Sequence, residues 1–125
     1  MPIDVHSHFF PQEFLKLLEA EGPTHGAGVR RDGEVPLLVM PSHPPVPLLP
    51  EFVEVEARLA YLDARGIRVQ ALSLSPPMVY WAAPQLGARL ARAFNDGIAE
   101  LCRRYPDRFV GLATLPMQDV DAALR

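Results

Sequence analysis

The sequence has one cysteine, no long apolar run and little net charge, and each shortage excludes a class of protein. A single cysteine, Cys102, cannot form an intrachain disulfide framework and is typical of a reducing compartment, which predicts a cytoplasmic location. The formal net charge of −3 provides neither a basic stripe for nucleic acid nor a polybasic patch for a membrane. No run approaches the roughly 18 apolar residues of a membrane span. The N-terminus also lacks the charged and apolar regions of a signal peptide.

Several common catalytic motifs are missing as well. The chain contains no glycine-rich phosphate loop, no Gly-x-Ser-x-Gly nucleophile elbow and no zinc-finger spacing of cysteines and histidines. These absences argue against nucleotide binding, serine hydrolysis and a structural zinc module. The predicted partner is therefore a small molecule, with no nucleic acid and no membrane.

Proline, by contrast, is abundant, with 14 in 125 residues. Six of them fall within fifteen positions: Pro36, Pro41, Pro44, Pro45, Pro47 and Pro50. Such a stretch cannot form a regular helix or a central strand. Residues 22–50 are predicted to be a loop insertion in which Asp32 and Gly33 turn a short hairpin. A loop this long inside a compact domain is usually a functional lid or insert.

Hydrophobic periodicity predicts strands that alternate with helices. The strands are residues 3–7, 67–74 and 109–115, and the helices are residues 11–21, 51–65 and 84–104, with another beginning near Val120 after a cap by Asp119 or Asp121. Alternation of this kind implies parallel strands joined by crossovers. The predicted fold class is α/β: about three β/α units, the N-terminal portion of a (β/α)8 barrel, in one incomplete domain over residues 1–125. A complete barrel needs about 250 residues. A doubly wound sheet is the rival.

His6 and His8 are the strongest candidates for a functional site. Strand side chains alternate between faces, so residues two apart point the same way, and Asp4 is predicted to share that face. In parallel α/β folds catalytic groups gather at the carboxyl ends of strands, where both histidines lie. A catalytic zinc typically takes three protein ligands and one water, so at least one further ligand is required. The alternative for the two histidines is that they are ordinary hydrogen-bonded side chains. Asp4 lies deeper in the strand and is predicted to have a structural hydrogen-bonding role there, with an outer contact to a metal ligand as the alternative.

Four other side chains are candidate substrate contacts. Arg31 and His43 lie in the long loop, where a guanidinium suits a substrate carboxylate. Met78 and Trp81 follow the second strand, at what would be the rim of a barrel. Solvated loop side chains and packing against the loop are the alternatives.

Residues 4–11, Asp-Val-His-Ser-His-Phe-Phe-Pro, resemble the opening of the amidohydrolase superfamily. More narrowly, they resemble the branch that contains 2-amino-3-carboxymuconate-6-semialdehyde decarboxylase and related decarboxylases. Further segments are similar to that branch in the same order: residues 58–67 lead into the second strand, Asn95-Asp96 and residues 106–109 belong to the next crossover, and residues 111–119 end the third strand.

The resemblance implies a (β/α)8 barrel with one divalent metal, usually zinc, and non-oxidative decarboxylation of a small unsaturated or aromatic carboxylic acid. His6 and His8 match the family's first two metal ligands, so the chain is predicted to supply the N-terminal half of the site. The family's later His and Asp ligands have no counterpart in these 125 residues. Hydrolysis of a C–N or ester bond and a truncated, non-catalytic chain are the alternatives. Unpaired apolar edges at the first and third strands predict that this chain alone aggregates, oligomerises or is poorly stable, and the predicted assembly is a homo-oligomer.

Overall fold

A computed structural model describes residues 2–125, which form two three-stranded sheets and five α-helices. The strands are β1 (Ile3–His8), β2 (Gly28–Arg30), β3 (Leu37–Val39), β4 (Val46–Pro47), β5 (Val69–Ser73) and β6 (Phe109–Gly111). The helices are α1 (Gln12–Glu21), α2 (Pro50–Val53), α3 (Val55–Ala64), α4 (Pro84–Arg104) and α5 (Val120–Ala123), with one 3-10 turn at Pro23–His25. Within residues 2–125, none of the helices combines the length and the apolar character that crossing a membrane requires.

The larger sheet is parallel, in the order β1-β5-β6. Helices follow each of its strands, which confirms the predicted α/β alternation. The core lies between this sheet and helices α1 and α4, and its fully buried side chains include Phe10, Phe14, Leu18, Leu72, Leu90 and Phe94. The opposite face of the sheet is open: Val5 and Val110 are exposed there.

The smaller sheet forms within residues 22–50, which the sequence predicts to be mostly loop. Strands β2 and β3 pair antiparallel, as the predicted hairpin requires, but their connection spans residues 31–36 and is longer than a tight turn. Strand β4 then pairs with the other side of β3, which was not predicted. Pro47 is tolerated in β4 because an edge strand needs no hydrogen bond from every residue. Leu38 and Leu48 are buried and attach this sheet to the core.

The predicted helix over residues 51–65 is wrong in one respect: it is two helices with a break at Glu54. Glu54 has an extended backbone, with φ −119° and ψ 124°. The carbonyl of Phe52 accepts a hydrogen bond from the backbone N–H of Phe10 at 2.8 Å, so it does not continue the helical pattern. Helix α2 is thereby joined to the chain that leaves β1.

The predicted strands over residues 67–74 and 109–115 are shorter in the structure. Strand β6 ends at Gly111, and the chain then turns toward helix α4. The N–H of Thr114 donates to Asn95 Oδ1 at 2.8 Å, and Asn95 Nδ2 donates to the Thr114 carbonyl at 2.9 Å. A side-chain amide thus replaces a neighbouring strand as the hydrogen-bond partner. The predicted cap by Asp119 is confirmed, since its carboxylate accepts from the N–H of Ala122 at 3.0 Å.

Helix α4 packs closely against the start of α1 at Gly97. A Cβ added at Gly97 would lie 2.3 Å from the Cβ of Pro11. Alanine favours a helix by about 1 kcal/mol over glycine, but this overlap forces a shift that costs about 1–3 kcal/mol. We therefore expect Gly97→Ala to lower the free energy of unfolding, measured by urea denaturation.

The control for this substitution is Gly33→Ala, because the nearest atom to an added Cβ there is 4.0 Å away. Its unfolding midpoint should match that of the unmodified protein. A Gly97→Ala variant with an unchanged or higher midpoint would show that the two helices have room to separate.

Candidate metal centre

Strand β1 contains a register shift that decides where its polar side chains point. Asp4 pairs with Gln70, and Ser7 pairs with Leu72. Between these two pairs β1 advances by three residues and β5 by only two, so β1 contains one extra residue, a β-bulge. Paired residues in neighbouring strands project to the same face of a sheet. Asp4 and Ser7 therefore share one face, and His8 points to the other. The prediction that Asp4 shares a face with the histidines is wrong, because the extra residue of the bulge reverses the alternation.

His6 and His8 lie next to each other on β1. Their ring centroids are 5.0 Å apart and the ring planes are inclined at 78°. His6 is exposed and His8 is partly buried. Both contribute to a cavity of about 210 Å³, whose lining consists of His6, Ser7, His8, Phe10, Val46, Phe52 and Ser75. The two imidazoles therefore face one pocket with largely apolar walls.

Ser73 sets the protonation pattern of the His8 ring. His8 Nδ1 lies 3.2 Å from the carbonyl oxygen of Ser73. A carbonyl oxygen only accepts hydrogen bonds, so this contact favours the proton on Nδ1 and a free lone pair on Nε2. The Ser73 hydroxyl also lies 3.2 Å from Nδ1 and donates to the Ser7 carbonyl at 3.3 Å, which leaves its oxygen able to accept from the same Nδ1–H. Histidine ligands of metals are commonly oriented in this way by a backbone carbonyl. Burial lowers the pKa of His8, which favours the neutral ring, the form that binds metal.

Asp4 has a hydrogen-bonding role in the sheet. Its carboxylate accepts from Gln70 Nε2 at 2.7 Å and from the N–H of His6 at 3.1 Å. The hydrogen bond from Gln70, followed by that from His6, lowers the pKa of the Asp4 carboxyl. Of the two roles considered for Asp4, the structure supports the link between strands β1 and β5.

The histidine pair fits part of a metal site. Two imidazoles on one face suit a divalent cation such as zinc, and the Ser73 carbonyl supplies the outer hydrogen bond that such a ligand needs. Within residues 2–125, no cluster of three or more His, Cys, Asp or Glu side chains is arranged to hold a metal ion. The described residues therefore provide two ligands of the three or four that a metal requires.

Arg31 and His43 lie outside the histidine cavity. Arg31 forms an ion pair with Glu19 at 2.8 Å and lines a separate cavity of about 420 Å³, together with Glu34 and other residues of the insertion. His43 is exposed, and its Nδ1 lies 3.2 Å from the carbonyl of Pro41. Contact of either side chain with a substrate stays a prediction.

Met78 and Trp81 are also outside the lining of the histidine cavity. Trp81 Nε1 donates to the carbonyl of Met78 at 3.0 Å, and its ring lies 6.1 Å from that of His25 in an edge-to-face arrangement. Both side chains are partly buried against the hydrophobic core. The contacts seen here are packing contacts, and a substrate role for either residue stays a prediction.

Arg58 is the residue behind the site that sequence reasoning missed. Its side chain is only 1% exposed and donates hydrogen bonds to Ser7 and Gln70 on the face opposite the histidines. A signal was present, because Arg58 occupies the apolar stripe of α3 that Val55, Leu59 and Leu62 define at helical spacing. An arginine in the apolar stripe of a helix must either be buried with the stripe or turn its side chain away from the core.

Comparisons with known proteins identify the family of this chain. The amidohydrolase family model (Amidohydro_2) matches residues 3–125. The 2-amino-3-carboxymuconate-6-semialdehyde decarboxylase of Caenorhabditis elegans is 34% identical over 136 residues, covering 98% of this chain and 31% of the relative. The chain thus spans about a third of that relative's length.

Two solved structures show the same architecture. The apo IDCase of Metarhizium anisopliae superposes with a TM-score of 0.81 at 22% identity, over 98% of this chain and 37% of that one. A dihydroxybenzoic acid decarboxylase from Polaromonas, with bound manganese and the inhibitor 2-nitroresorcinol, gives 0.65 at 29% identity, over 97% of this chain and 32% of the other. The prediction of a partial (β/α)8 barrel is confirmed. With its family model matched from Ile3 to Arg125, the chain belongs to the amidohydrolase family.

Proposed function

We propose that this chain supplies the first two metal ligands of a carboxy-lyase that decarboxylates a small unsaturated or aromatic carboxylic acid. The observation that carries the proposal is the His6–His8 pair, with rings 5.0 Å apart on one cavity. The kind of reaction is supported by relatives that are named decarboxylases, one of which contains manganese.

The residues of this chain have separate tasks in such a site. His6 and His8 would hold the cation, and the Ser73 carbonyl would keep His8 Nε2 directed at it. When bound, a divalent cation supplies positive charge that stabilises the electron density left on the substrate as carbon dioxide departs. Phe10 and Phe52 form apolar walls that suit a flat unsaturated acid and exclude water.

We propose zinc as the metal, and the experiment below also tests manganese. Two imidazole nitrogens are ligands that both ions accept, although zinc prefers them more strongly. A homo-oligomer and a cytoplasmic location are part of the same proposal. Light scattering of the purified protein and fractionation of its source cells would test them.

The decisive experiment measures carbon dioxide release by the full native gene product that contains this chain. The protein would be stripped of metal, reloaded with Zn²⁺ or Mn²⁺, and offered dihydroxybenzoic acids, carboxymuconate semialdehydes, amides and esters. We expect carbon dioxide release that depends on the metal. Acid or amine formation from the amides and esters would identify a hydrolase instead. Zinc below about a tenth of an equivalent, with no turnover on any substrate, would identify a non-catalytic protein.

A further inference from the structure

The guanidinium of Arg58 lies directly behind the histidine-bearing end of β1. Arg58 Nη1 donates to Ser7 Oγ at 2.8 Å and to Gln70 Oε1 at 3.1 Å. Its Nη2 donates to the backbone carbonyl of His8. One rigid fork from helix α3 therefore contacts β1 at two consecutive residues, and also contacts the neighbouring strand β5.

This fork spans the bulge in β1. Ser7 and His8 follow the bulge, and Asp4 precedes it. Gln70, which accepts from Arg58, donates a hydrogen bond to Asp4 at 2.7 Å. The chain on both sides of the extra residue is therefore held by one side chain and its partner. The bulge is the feature that places His8 opposite Asp4, so whatever holds the bulge also aims the imidazole.

Burial of the charged Arg58 guanidinium between α3 and the sheet costs free energy, because the group loses its contacts with water. Its hydrogen-bond acceptors within the described residues are neutral oxygens, and its buried Nε has no partner there. The rings of Phe9 and Phe52 lie 5.8 and 5.6 Å from the guanidinium carbon and provide a partial substitute for water. Since apolar residues of similar volume often replace buried charges without loss of stability, packing alone does not account for an arginine here.

We propose that Arg58 is a positioning residue for the metal site: its fork fixes the bulge of β1 and so directs His8, with His6 beside it, into the cavity. The metal part of this inference rests on the proposed function. The orientation of His8 itself does not, because it is set by contacts that need no metal.

Two variants separate positioning from structural support. Arg58→Met removes the fork while keeping the length and apolar stem of the side chain. Leu62→Ala, on the same helix and fully buried, weakens the core and leaves the hydrogen-bonding groups of Arg58 unchanged. Arg58→Lys keeps the charge but loses the second arm of the fork, and serves as the milder variant if Arg58→Met does not fold.

The first readout is metal-free. Nitrogen NMR at pH 8 reports which nitrogen of the His8 imidazole carries the proton. We expect the Nδ1–H form in the unmodified protein and in Leu62→Ala, and a mixture of both forms in Arg58→Met, with a smaller change in Arg58→Lys. Folded Arg58 variants with unmodified His8 signals would overturn the proposal, as would an equal change in Leu62→Ala.

The second readout is Zn²⁺ affinity by titration calorimetry. Loss of outer contacts that orient a metal ligand typically weakens binding by about 10–100-fold, and we expect a loss in that range for Arg58→Met. Leu62→Ala should melt earlier but bind Zn²⁺ within about twofold of the unmodified protein. Equal losses in the two variants would overturn positioning. If the unmodified native gene product binds neither Zn²⁺ nor Mn²⁺, the proposed function fails, and the His8 signals still decide the role of Arg58.

Discussion

Replacing His8 by alanine is expected to weaken Zn²⁺ binding by at least about a hundredfold. His8 is the better prepared of the two ligands, because the Ser73 carbonyl fixes its Nδ1–H and leaves Nε2 free. Loss of an outer contact alone costs about 10–100-fold in affinity, and loss of a ligand should cost no less. The remaining imidazole of His6 would bind zinc as weakly as any exposed histidine.

Titration calorimetry of the metal-free protein with Zn²⁺ at pH 7.5 measures this change. His43→Ala is the matched control, because His43 is exposed and lies outside the histidine cavity. It should retain the affinity of the unmodified protein within about twofold. Comparable losses in His8→Ala and His43→Ala would place the zinc elsewhere and remove the observation on which the proposed function depends.

The proximity of the His6 and His8 rings is the feature of the candidate site that the sequence predicts well. The two histidines are separated by two positions at the end of one strand, so their relation is local. The structure places their rings side by side, as that spacing requires. The same rule failed for Asp4, only two residues earlier. The bulge that intervenes depends on Gln70 and Arg58, which lie far along the chain. Alternation within one strand contains no information about such partners.

The fold shows the same division between local and distant causes. The long helix α4 is predicted correctly because its apolar stripe and its initial Pro84 are local signals. The break at Glu54 is not predicted from the sequence, because it arises where the N–H of Phe10 donates a hydrogen bond to the carbonyl of Phe52. The small sheet of the insertion likewise depends on Leu38 and Leu48 reaching the core. Arg31 and His43 lie in that insertion, so their surroundings could not be predicted either.

The largest loss of stability is expected for Phe94→Ala. Phe94 and Phe14 are both 0% exposed, and their rings meet edge-to-face at 6.1 Å. This contact joins helix α4 to helix α1, and Phe10 stacks on Phe14 with ring centroids 6.4 Å apart. Truncation of a buried phenylalanine costs about 3–5 kcal/mol, through lost burial and the cavity that remains. Since a domain is stable by about 5–15 kcal/mol in total, this substitution should remove a large fraction of the free energy of unfolding.

Urea denaturation followed by circular dichroism measures the change in the free energy of unfolding. Tyr80→Ala is the control, because Tyr80 is 48% exposed and removal of its ring leaves no cavity, so a change within about 0.5 kcal/mol is expected. Phe94→Leu should lie between the two, since it retains part of the buried volume. A Phe94→Ala loss no larger than that of Tyr80→Ala would mean that α1 and α4 do not form a common core. It would also remove the support that α1 gives to the histidine-bearing end of β1, because Phe10 and Phe14 connect that end to α4.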